Sequence, residues 1–330
     1  MAVLVTGATG FLGSHVALSL QRGGRQVVAT GRNRARLNEL GSAGLHTIAL
    51  DLSQPMTDDA MDHLSSVQTV VHCAGLSSPW GRDADFFTHN VTATRHLIAI
   101  AQQVGVKRFV LISTASVYFR FADQSDVSED QLPDRFVNAY ARTKRAAERQ
   151  VLSHADIGPI VLRPRGIYGA GDTALLPRLL RVARRRPLPR FAQGGATDIT
   201  HVHDVVRAVH MALAAPLELN AEVFNISGGV GIPLADIIES ACARVGVVPR
   251  WRRVPFPAAL VGARVLETAA KLLPGRPEPP VTAYSLGILR YRQTMDITKA
   301  GARLGWHPMV SFEEGLTRTF QKSVQQKGMI

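Results

Sequence analysis

Cysteine is scarce in this chain, since Cys73 and Cys242 are the only two among 330 residues. Two cysteines are too few for a disulfide framework or a cysteine-based metal site, and they suit a reducing compartment. Long apolar runs are also missing, because the most apolar late segment, 257–274, is interrupted by two basic residues and one acidic residue. The N-terminus lacks a basic leader followed by a signal-peptide core. We therefore expect a cytoplasmic protein.

Acidic residues are in short supply, because 26 Asp and Glu face 38 Lys and Arg and leave a formal net charge of +12. A basic surface attracts nucleic acid, anionic lipid or an acidic substrate. The densest basic run, 177–190, repeats arginine at helical spacing. That pattern favours a solvated helix face, with contact to an anionic substrate or a membrane surface as the alternatives. No aromatic stacking platform accompanies the charge, so no nucleic-acid partner is expected.

Short apolar segments alternate with helical patterns through the first half of the chain. Six of these segments predict strands, at 2–6, 26–30, 46–50, 68–72, 108–113 and 160–164. Strand and helix in repeated order, with strands that are apolar throughout, are typical of a parallel sheet covered on both faces. The expected fold is α/β, a doubly wound parallel sheet that binds ligands at the carboxyl ends of its strands. We predict a nucleotide-binding domain over 1–165, to which 200–228 returns, and a smaller substrate-binding lid in most of 166–330.

A glycine-rich turn follows the first predicted strand. Gly7, Gly10 and Gly13 in VTGATGFLGSH precede a helical pattern. Glycines at this spacing let a pyrophosphate approach the backbone N–H groups of a helix N-terminus. The second strand ends at Gly31 and Arg32, without the acid that would accept ribose hydroxyls, and arginine there suits a 2′-phosphate. NADP(H) is therefore favoured over NAD(H), which stays as the alternative.

Tyr140 and Lys144 lie four positions apart in NAYARTKRAAE. Residues i and i+4 share one face of a helix, so both side chains can point into a cofactor cleft. The ammonium group is expected to lower the pKa of the phenol, which lets tyrosine exchange a proton with a substrate oxygen. The alternative is a surface ion pair between Lys144 and Glu148 beside a half-buried tyrosine.

Four motifs occur in order along the chain: TGATGFLG at 6–13, STASVY at 113–118, Tyr140-x-x-x-Lys144, and LRPRGIYGAGD at 162–172. Together they resemble the extended short-chain dehydrogenase/reductase superfamily, which includes the NAD-dependent epimerases and dehydratases, over essentially the whole chain. The resemblance implies a catalytic set of Thr114, Tyr140 and Lys144. In that set Thr114 orients the substrate oxygen and Lys144 also binds the nicotinamide ribose. The resemblance further implies a homodimer.

Other cofactor contacts are expected along the ends of the strands. Asp51 either meets the adenine end or acts as a cap or turn residue. Asn90 matches an asparagine of the family's cofactor domain, with capping or packing as the alternative. Arg163 and Pro164 are expected mainly to fix the turn into the lid. The predicted cofactor contacts are Gly7, Thr9, Gly10, Phe11, Leu12, Gly13, Arg32, Asp51, Leu52, Ala74, Gly75, Asn90, Tyr140, Lys144 and Pro164.

A metal site is a weaker hypothesis. His201, His203 and Asp204 in THVHDVV have ligand chemistry, but no third histidine follows at the expected spacing. Asp204 also suits a helix N-cap, so no metal is predicted.

Thr197 in TDITHVHD occupies the position at which nucleotide-sugar epimerases and dehydratases of the superfamily carry a diphosphate-binding arginine. A bidentate phosphate clamp is expected to have no replacement there. Phe119 stands where epimerases usually carry glycine. The chain is more similar to the 3β-hydroxysteroid dehydrogenase branch, which includes sterol carboxylate dehydrogenases and reductases of long-chain 2-alkyl-3-oxo acids.

That similarity implies an NADP(H)-dependent oxidoreductase that interconverts a 3-hydroxy and a 3-keto group on a hydrophobic substrate. One alternative is a nucleotide-sugar epimerase or dehydratase. An alternative of another class is a non-catalytic NADP(H)-sensing or binding protein, although such a protein has no need of Thr114, Tyr140 and Lys144 together.

Overall fold

The computed structural model describes residues 2–55 and 61–327, and the side chains as far as residue 321. The described strands are β1 (Ala2–Thr6), β2 (Gln26–Gly31), β3 (His46–Ala49), β4 (Val67–His72), β5 (Arg108–Ile112), β6 (Gln124–Val127), β7 (Pro159–Pro164), β8 (Ile167–Tyr168), β9 (Leu188–Arg190), β10 (Ala196–Thr197), β11 (Thr200–His201), β12 (Glu222–Ile226), β13 (Ile232–Pro233), β14 (Trp251–Arg253) and β15 (Gln293–Met295).

The described α-helices are α1 (Phe11–Arg22), α2 (Arg34–Ser42), α3 (Asp83–Phe86), α4 (Ala93–Gln103), α5 (Ala139–Leu152), α6 (Leu176–Arg185), α7 (Val202–Ala214), α8 (Leu234–Ala243), α9 (Phe256–Leu272), α10 (Ala283–Arg290), α11 (Thr298–Leu304) and α12 (Phe312–Lys327). A π-helical turn, Phe87–Thr92, joins α3 to α4, and short 3-10 helices cover Ala115–Tyr118, Ala155–Ile157 and Leu217–Leu219. None of the helices in the described part of the chain is both long and apolar enough to cross a membrane.

Seven strands form one parallel sheet in the order β12-β7-β5-β4-β1-β2-β3. The six strands predicted from the sequence are all in it, and the doubly wound α/β fold is confirmed. β12, at the edge, pairs in register with β7, with Phe224 opposite Leu162. All five residues of β1 are buried, because helices cover both faces of the sheet.

A separate apolar core lies on each face of the sheet. Successive side chains of a strand point to opposite faces, and β1 shows this directly: Val3 packs in one core and Leu4 in the other. The first core also holds α1 and α7, through residues such as Leu20 and Val205. The second holds α4, through Leu97 among others.

The second half of the chain crosses back to the first at several points. A four-stranded sheet runs in the order β13-β10-β15-β6, so a strand from 124–127 pairs with one near the C-terminus. Trp306 is fully buried in the first core and donates its Nε1–H to the Asp204 carbonyl at 3.0 Å. A third core joins α6 and α8 around residues such as Leu180 and Ile237. The domain boundary near residue 165 stays a prediction.

The π-helical turn Phe87–Thr92 contains Asn90, which turns inward and is 2% exposed. One local expectation is wrong. Asp204 does not cap its helix, because His201 is the N-cap residue of α7 and accepts from the His203 N–H. Asp204 lies in the first turn of α7 instead, and its carboxylate accepts the N–H groups of residues 309 and 310 at 2.9 and 3.0 Å.

Candidate active site

The glycine-rich turn places the N-terminus of α1 directly at the end of β1. Gly7 has φ +67°, and a Cβ there would lie 2.7 Å from the Ala74 nitrogen. A Cβ on Gly13 would lie 2.2 Å from the Gly7 carbonyl oxygen, so helix and strand approach too closely for any side chain. Gly10 begins α1 without a side-chain cap. These residues fit a cofactor pyrophosphate, because they leave N–H groups of the helix N-terminus without side-chain partners beside a cradle that a Cβ would fill.

The ends of β2 and β3 bring Arg32 and Asp51 together. Arg32 is exposed, and its Nη1 lies 3.5 Å from His89 Nε2. The Asp51 carboxylate accepts the Ser53 N–H at 3.0 Å and the Ser53 hydroxyl at 2.7 Å, so it serves as a turn residue. Those bonds lower the pKa of Asp51, and the charge of Arg32 adds to the effect. The adjoining Leu52 carbonyl pairs with His96 Nδ1 at 3.0 Å.

A second group of predicted residues meets at the end of β4. The Asn90 carboxamide oxygen accepts the Leu76 N–H at 2.7 Å, and its nitrogen donates to the Thr143 hydroxyl at 3.0 Å. A Cβ on Gly75 would lie 3.0 Å from that Asn90 oxygen and 3.9 Å from Lys144 Nζ. Asn90 therefore ties the loop after β4 to α5, which is the packing role that had been the alternative for this residue.

Tyr140 and Thr114 lie together at the carboxyl end of β5. Thr114 follows the strand and is 8% exposed; its hydroxyl accepts the Ser116 N–H and donates to Ser116 Oγ, both at 3.1 Å. Ser116 Oγ is 3.1 Å from the Tyr284 hydroxyl of α10. The Tyr140 phenol interacts with the side chains of Thr114 and Ser77. A chain of hydroxyl groups thus leads from Tyr140 to the lid.

Lys144 is buried rather than solvated. Its side chain is 6% exposed, and Nζ donates to the Ile112 carbonyl at 2.6 Å. Glu148, fully buried, binds Arg163, Arg145 and Ser113 instead. The alternative of a surface pair between Lys144 and Glu148 is therefore wrong.

The expected direction of the Tyr140 pKa is also wrong. Burial raises the pKa of Tyr140, and the interactions with Ser77 and Thr114 offset this only in part. Burial lowers the pKa of Lys144 to about 8, against the charge of Glu148. In this geometry the effect of burial on the phenol outweighs any benefit from the neighbouring ammonium.

Under the site, Glu148 and Arg163 form a buried ion pair. Arg163 Nε and Nη2 reach the two carboxylate oxygens at 2.9 and 2.7 Å, and the side chains are 1% and 0% exposed. Arg163 Nη1 also donates to the Tyr118 hydroxyl and to the Glu129 carbonyl. Burial alone would raise the pKa of Glu148, but the Arg163 hydrogen bonds and charge hold it below its ordinary value. Arg163 thus fastens α5 to β7. Pro164 ends β7 and pairs with Ile226 in the sheet.

Sequence reasoning missed an arginine beside Thr197. Arg165 is 7% exposed, and its Nε donates to Thr197 Oγ1 at 2.9 Å. Arg165 thus lies beside the position at which the phosphate-binding arginine is missing, and the weaker fit to a nucleotide sugar stays a prediction. The neighbouring Asp198 is buried, which raises its pKa although it accepts from Ser227 and the Met295 N–H.

Phe119 and Tyr284 are far apart in the sequence but in contact in the fold. Phe119 is 1% exposed and packs edge-on against Tyr284, with ring centroids 5.1 Å apart. It thereby supports the helix that carries the Tyr284 hydroxyl. Tyr284 lies in no motif, so no local sequence pattern indicates a role for it. Ser116 lies inside STASVY, so its place in the site could have been predicted from the motif.

The histidines gather more closely than their spacing suggests. The rings of His201 and His203 are 4.7 Å apart, and His15 from α1 lies 5.8 Å from His203. Burial lowers the pKa of His201 to about 3, with the charges of His203, Arg318 and His15 acting in the same direction. Within residues 2–55 and 61–327, no three His, Cys, Asp or Glu side chains are arranged to hold a metal ion.

The chain is similar to one protein family and to several proteins of known activity or structure. The model of the NAD dependent epimerase/dehydratase family matches residues 3–227. A 2-alkyl-3-oxoalkanoate reductase of Stenotrophomonas maltophilia is 32% identical over 96% of this chain and 98% of its own length. A decarboxylating sterol-4-alpha-carboxylate 3-dehydrogenase of Schizosaccharomyces pombe is 30% identical, with 96% of each chain covered. The solved structure of MoeE5 in complex with UDP-glucose and NAD is similar with a TM-score of 0.77 and 29% identity, covering 99% of this chain and 100% of that one.

Proposed function

Since the chain belongs to the NAD dependent epimerase/dehydratase family, we propose that it interconverts a 3-hydroxy and a 3-keto group on a hydrophobic substrate. It is a nicotinamide-dependent oxidoreductase of the extended short-chain dehydrogenase/reductase type. The observation that carries the proposal is the placement of Tyr140 and Thr114 together at the end of β5, with Lys144 buried beside them. The similarity to a reductase of 3-oxo acids and to a sterol 3-dehydrogenase supports the steroid-like or long-chain 3-oxo acid class.

In this proposal the bound nicotinamide cofactor supplies or accepts the hydride. Tyr140 exchanges a proton with the substrate oxygen. Because burial raises its pKa, the phenol is protonated at neutral pH, which suits the donor role needed for ketone reduction. Thr114, whose hydroxyl is held by Ser116, orients the same oxygen. Lys144 lies one helical turn after Tyr140 and is held by the Ile112 carbonyl, and in this proposal it binds the cofactor ribose.

We propose NADP(H) as the preferred cofactor. Arg32 and Arg34 are exposed at the carboxyl end of β2, and a Cβ on Gly31 would lie 2.5 Å from Thr9 Oγ1, so no acidic side chain fits there. The test is fluorescence titration with NADPH and NADH. We expect Arg32→Ala to weaken NADPH binding about tenfold while NADH binding is nearly unchanged. Arg25→Ala, at the opposite end of β2, is the control. Equal loss for both cofactors would contradict the assignment.

The substrate class is tested by adding 3-ketosteroids and 2-alkyl-3-oxo acids to the NADPH complex, and UDP-sugars to the complexes with NADP⁺ and NAD⁺, because a UDP-sugar alcohol can only donate a hydride. Oxidation of NADPH by a hydrophobic ketone supports the proposal, and response to UDP-sugars alone overturns it. Tyr140→Phe should lower turnover by orders of magnitude and leave NADPH affinity nearly intact. Full activity in that variant would remove Tyr140 from the mechanism. If no ketone oxidises bound NADPH and no UDP-sugar reduces bound NADP⁺ or NAD⁺, the non-catalytic NADP(H)-binding alternative replaces the enzyme reaction proposed here.

A nucleotide-sugar epimerase or dehydratase is the second candidate. The observation that favours it is the guanidinium of Arg165 beside Thr197, because arginine suits a diphosphate. The similarity to MoeE5, whose solved structure contains UDP-glucose, also supports it. Arg165→Lys should abolish the response to UDP-sugars if this candidate is correct, and should spare ketone reduction if the first one is.

Three finer features accompany the main proposal. The chain is proposed to act in the cytoplasm, to form a homodimer, and to meet a membrane surface through its basic lid. The lid arginines support the last of these, since Arg181, Arg184 and Arg185 of α6 are exposed around a surface depression of about 380 Å³.

A further inference from the structure

Helix α9 has an apolar face that no other part of the described chain covers. Val261, Val265 and Leu272 are 61%, 62% and 82% exposed. At 3.6 residues per turn they fall within about 40° of one another. The two buried residues of the helix, Ala263 and Ala270, lie on the opposite side and hold α9 to the protein. Phe256 and Ala259, near the start of the helix, also pack against the protein. The exposed valines and leucine therefore form an apolar patch on the outer side of α9, and such patches often mark interaction sites.

Exposed basic residues lie on α9 and in the chain on either side of it. The segment 250–276 contains one acidic residue, Glu267, whose carboxylate accepts the Ala283 N–H at 2.8 Å and is thereby engaged inside the protein. The same segment contains six basic residues, Arg250, Arg252, Arg253, Arg264, Lys271 and Arg276. All six are exposed. The Lys271 ammonium also lies 5.9 Å from the Trp80 ring, at the C-terminal end of the helix.

We propose that α9 docks the protein on an anionic lipid bilayer. The face formed by Val261, Val265 and Leu272 enters the boundary between headgroups and acyl chains, and the basic residues of α9 and its neighbouring segments bind lipid phosphates. An apolar helix face flanked by Lys and Arg has the chemistry of an interfacial membrane helix. A second copy of this chain fits less well, because pairing two α9 helices would bring the exposed Arg264 and Lys271 of both copies close to one contact.

The proposed membrane contact thereby gains a second surface, on α9. Its test does not depend on the proposed reaction, because binding is measured without substrate. The full chain is floated on a density gradient with phosphatidylcholine vesicles that contain either no phosphatidylglycerol or a substantial fraction of it. We expect binding to the anionic vesicles, little binding to the neutral ones, and weakening by salt. Equal binding to both kinds of vesicle, or none to the anionic vesicles, overturns the proposal.

The decisive variant is Val265→Glu, matched by Val230→Glu. Val230 is 67% exposed, so both variants place the same charge at an equally exposed valine, but only one lies on the α9 face. We expect Val265→Glu to lower vesicle binding about tenfold and Val230→Glu to leave it unchanged. NADPH titration of both variants checks that each is folded. If Val265→Glu instead splits a dimer in size-exclusion chromatography and binds vesicles like the wild type, the face is a contact between copies and the lipid proposal fails.

Discussion

Replacing Lys144 by methionine should stabilise the cofactor-free protein at neutral pH while removing activity. Burial lowers the pKa of Lys144 from 10.5 to about 8. Holding this ammonium in the folded state at pH 7 therefore costs about 3 kcal/mol relative to the unfolded chain. Methionine has nearly the same shape without the charge, but it leaves the Ile112 carbonyl without its 2.6 Å donor, at a cost of about 1 kcal/mol. The expected net gain is about 2 kcal/mol.

The pH dependence distinguishes this reasoning from simple repacking. Between pH 8 and 10.5 the unfolded chain keeps the Lys144 proton and the folded chain loses it, so the free energy of unfolding of the wild type rises with pH over that window. The methionine variant lacks this rise. The advantage of Lys144→Met should therefore shrink from about 2 kcal/mol at pH 7 to near zero at pH 10.

Urea unfolding of both proteins at pH 7 and pH 10 measures the difference. Lys107→Met is the control, because Lys107 is exposed just before β5 and should give little change at either pH. A Lys144→Met protein that is less stable than the wild type at pH 7, or a difference that does not vary with pH, would refute the argument. Turnover of Lys144→Met should fall by about a hundredfold or more.

Three further substitutions test the buried ion pair, the glycine-rich turn and the Tyr284 hydroxyl. Arg163→Met leaves buried Glu148 without its main partner and should lower the free energy of unfolding by about 3–5 kcal/mol in urea, part of which a second change, Glu148→Gln, restores. Gly13→Ala, whose Cβ would lie 2.2 Å from a carbonyl oxygen of the turn, should abolish NADPH binding by fluorescence, whereas Gly262→Ala, in open space on α9, should not. Tyr284→Phe should raise KM for the ketone about fivefold and leave NADPH affinity unchanged; an unaltered KM would exclude Tyr284 from the substrate site.

The sheet was predictable because β1, β5 and β7 are buried along their whole length and so appear as apolar segments, although the edge strand β3 is only partly buried. β1 matches its predicted bounds of 2–6 for this reason. Periodicity does not indicate the π-helical turn, inside which Asn90 bonds to Leu76 and Thr143 in other elements. Long-range contacts of this kind do not change the hydrophobic pattern.

The candidate site was predictable where it is local and not where it depends on distant segments. Tyr140 and Lys144 share one helix, so their spacing alone indicates a common face. The pKa of Tyr140 depends on burial by neighbouring loops, and this is why its direction was wrong. Arg165 reaches Thr197 across 32 positions, and Tyr284 reaches Ser116 across 168. No spacing rule links residues at such separations.

The position of α5 follows from hydrogen bonds to two neighbouring strands. Lys144 binds the last carbonyl of β5, at Ile112, while Glu148, one turn further along the same helix, binds Arg163 of β7. Rotation of α5 would break both contacts, one of which is a fully buried charge pair. Tyr140, one turn before Lys144 on that face, is therefore held at the end of β5 beside Thr114. The buried pair acts on the site by holding α5 in this orientation, so Glu148 and Arg163 are positioning residues. We expect substitution of either residue to lower turnover to the extent that it displaces α5.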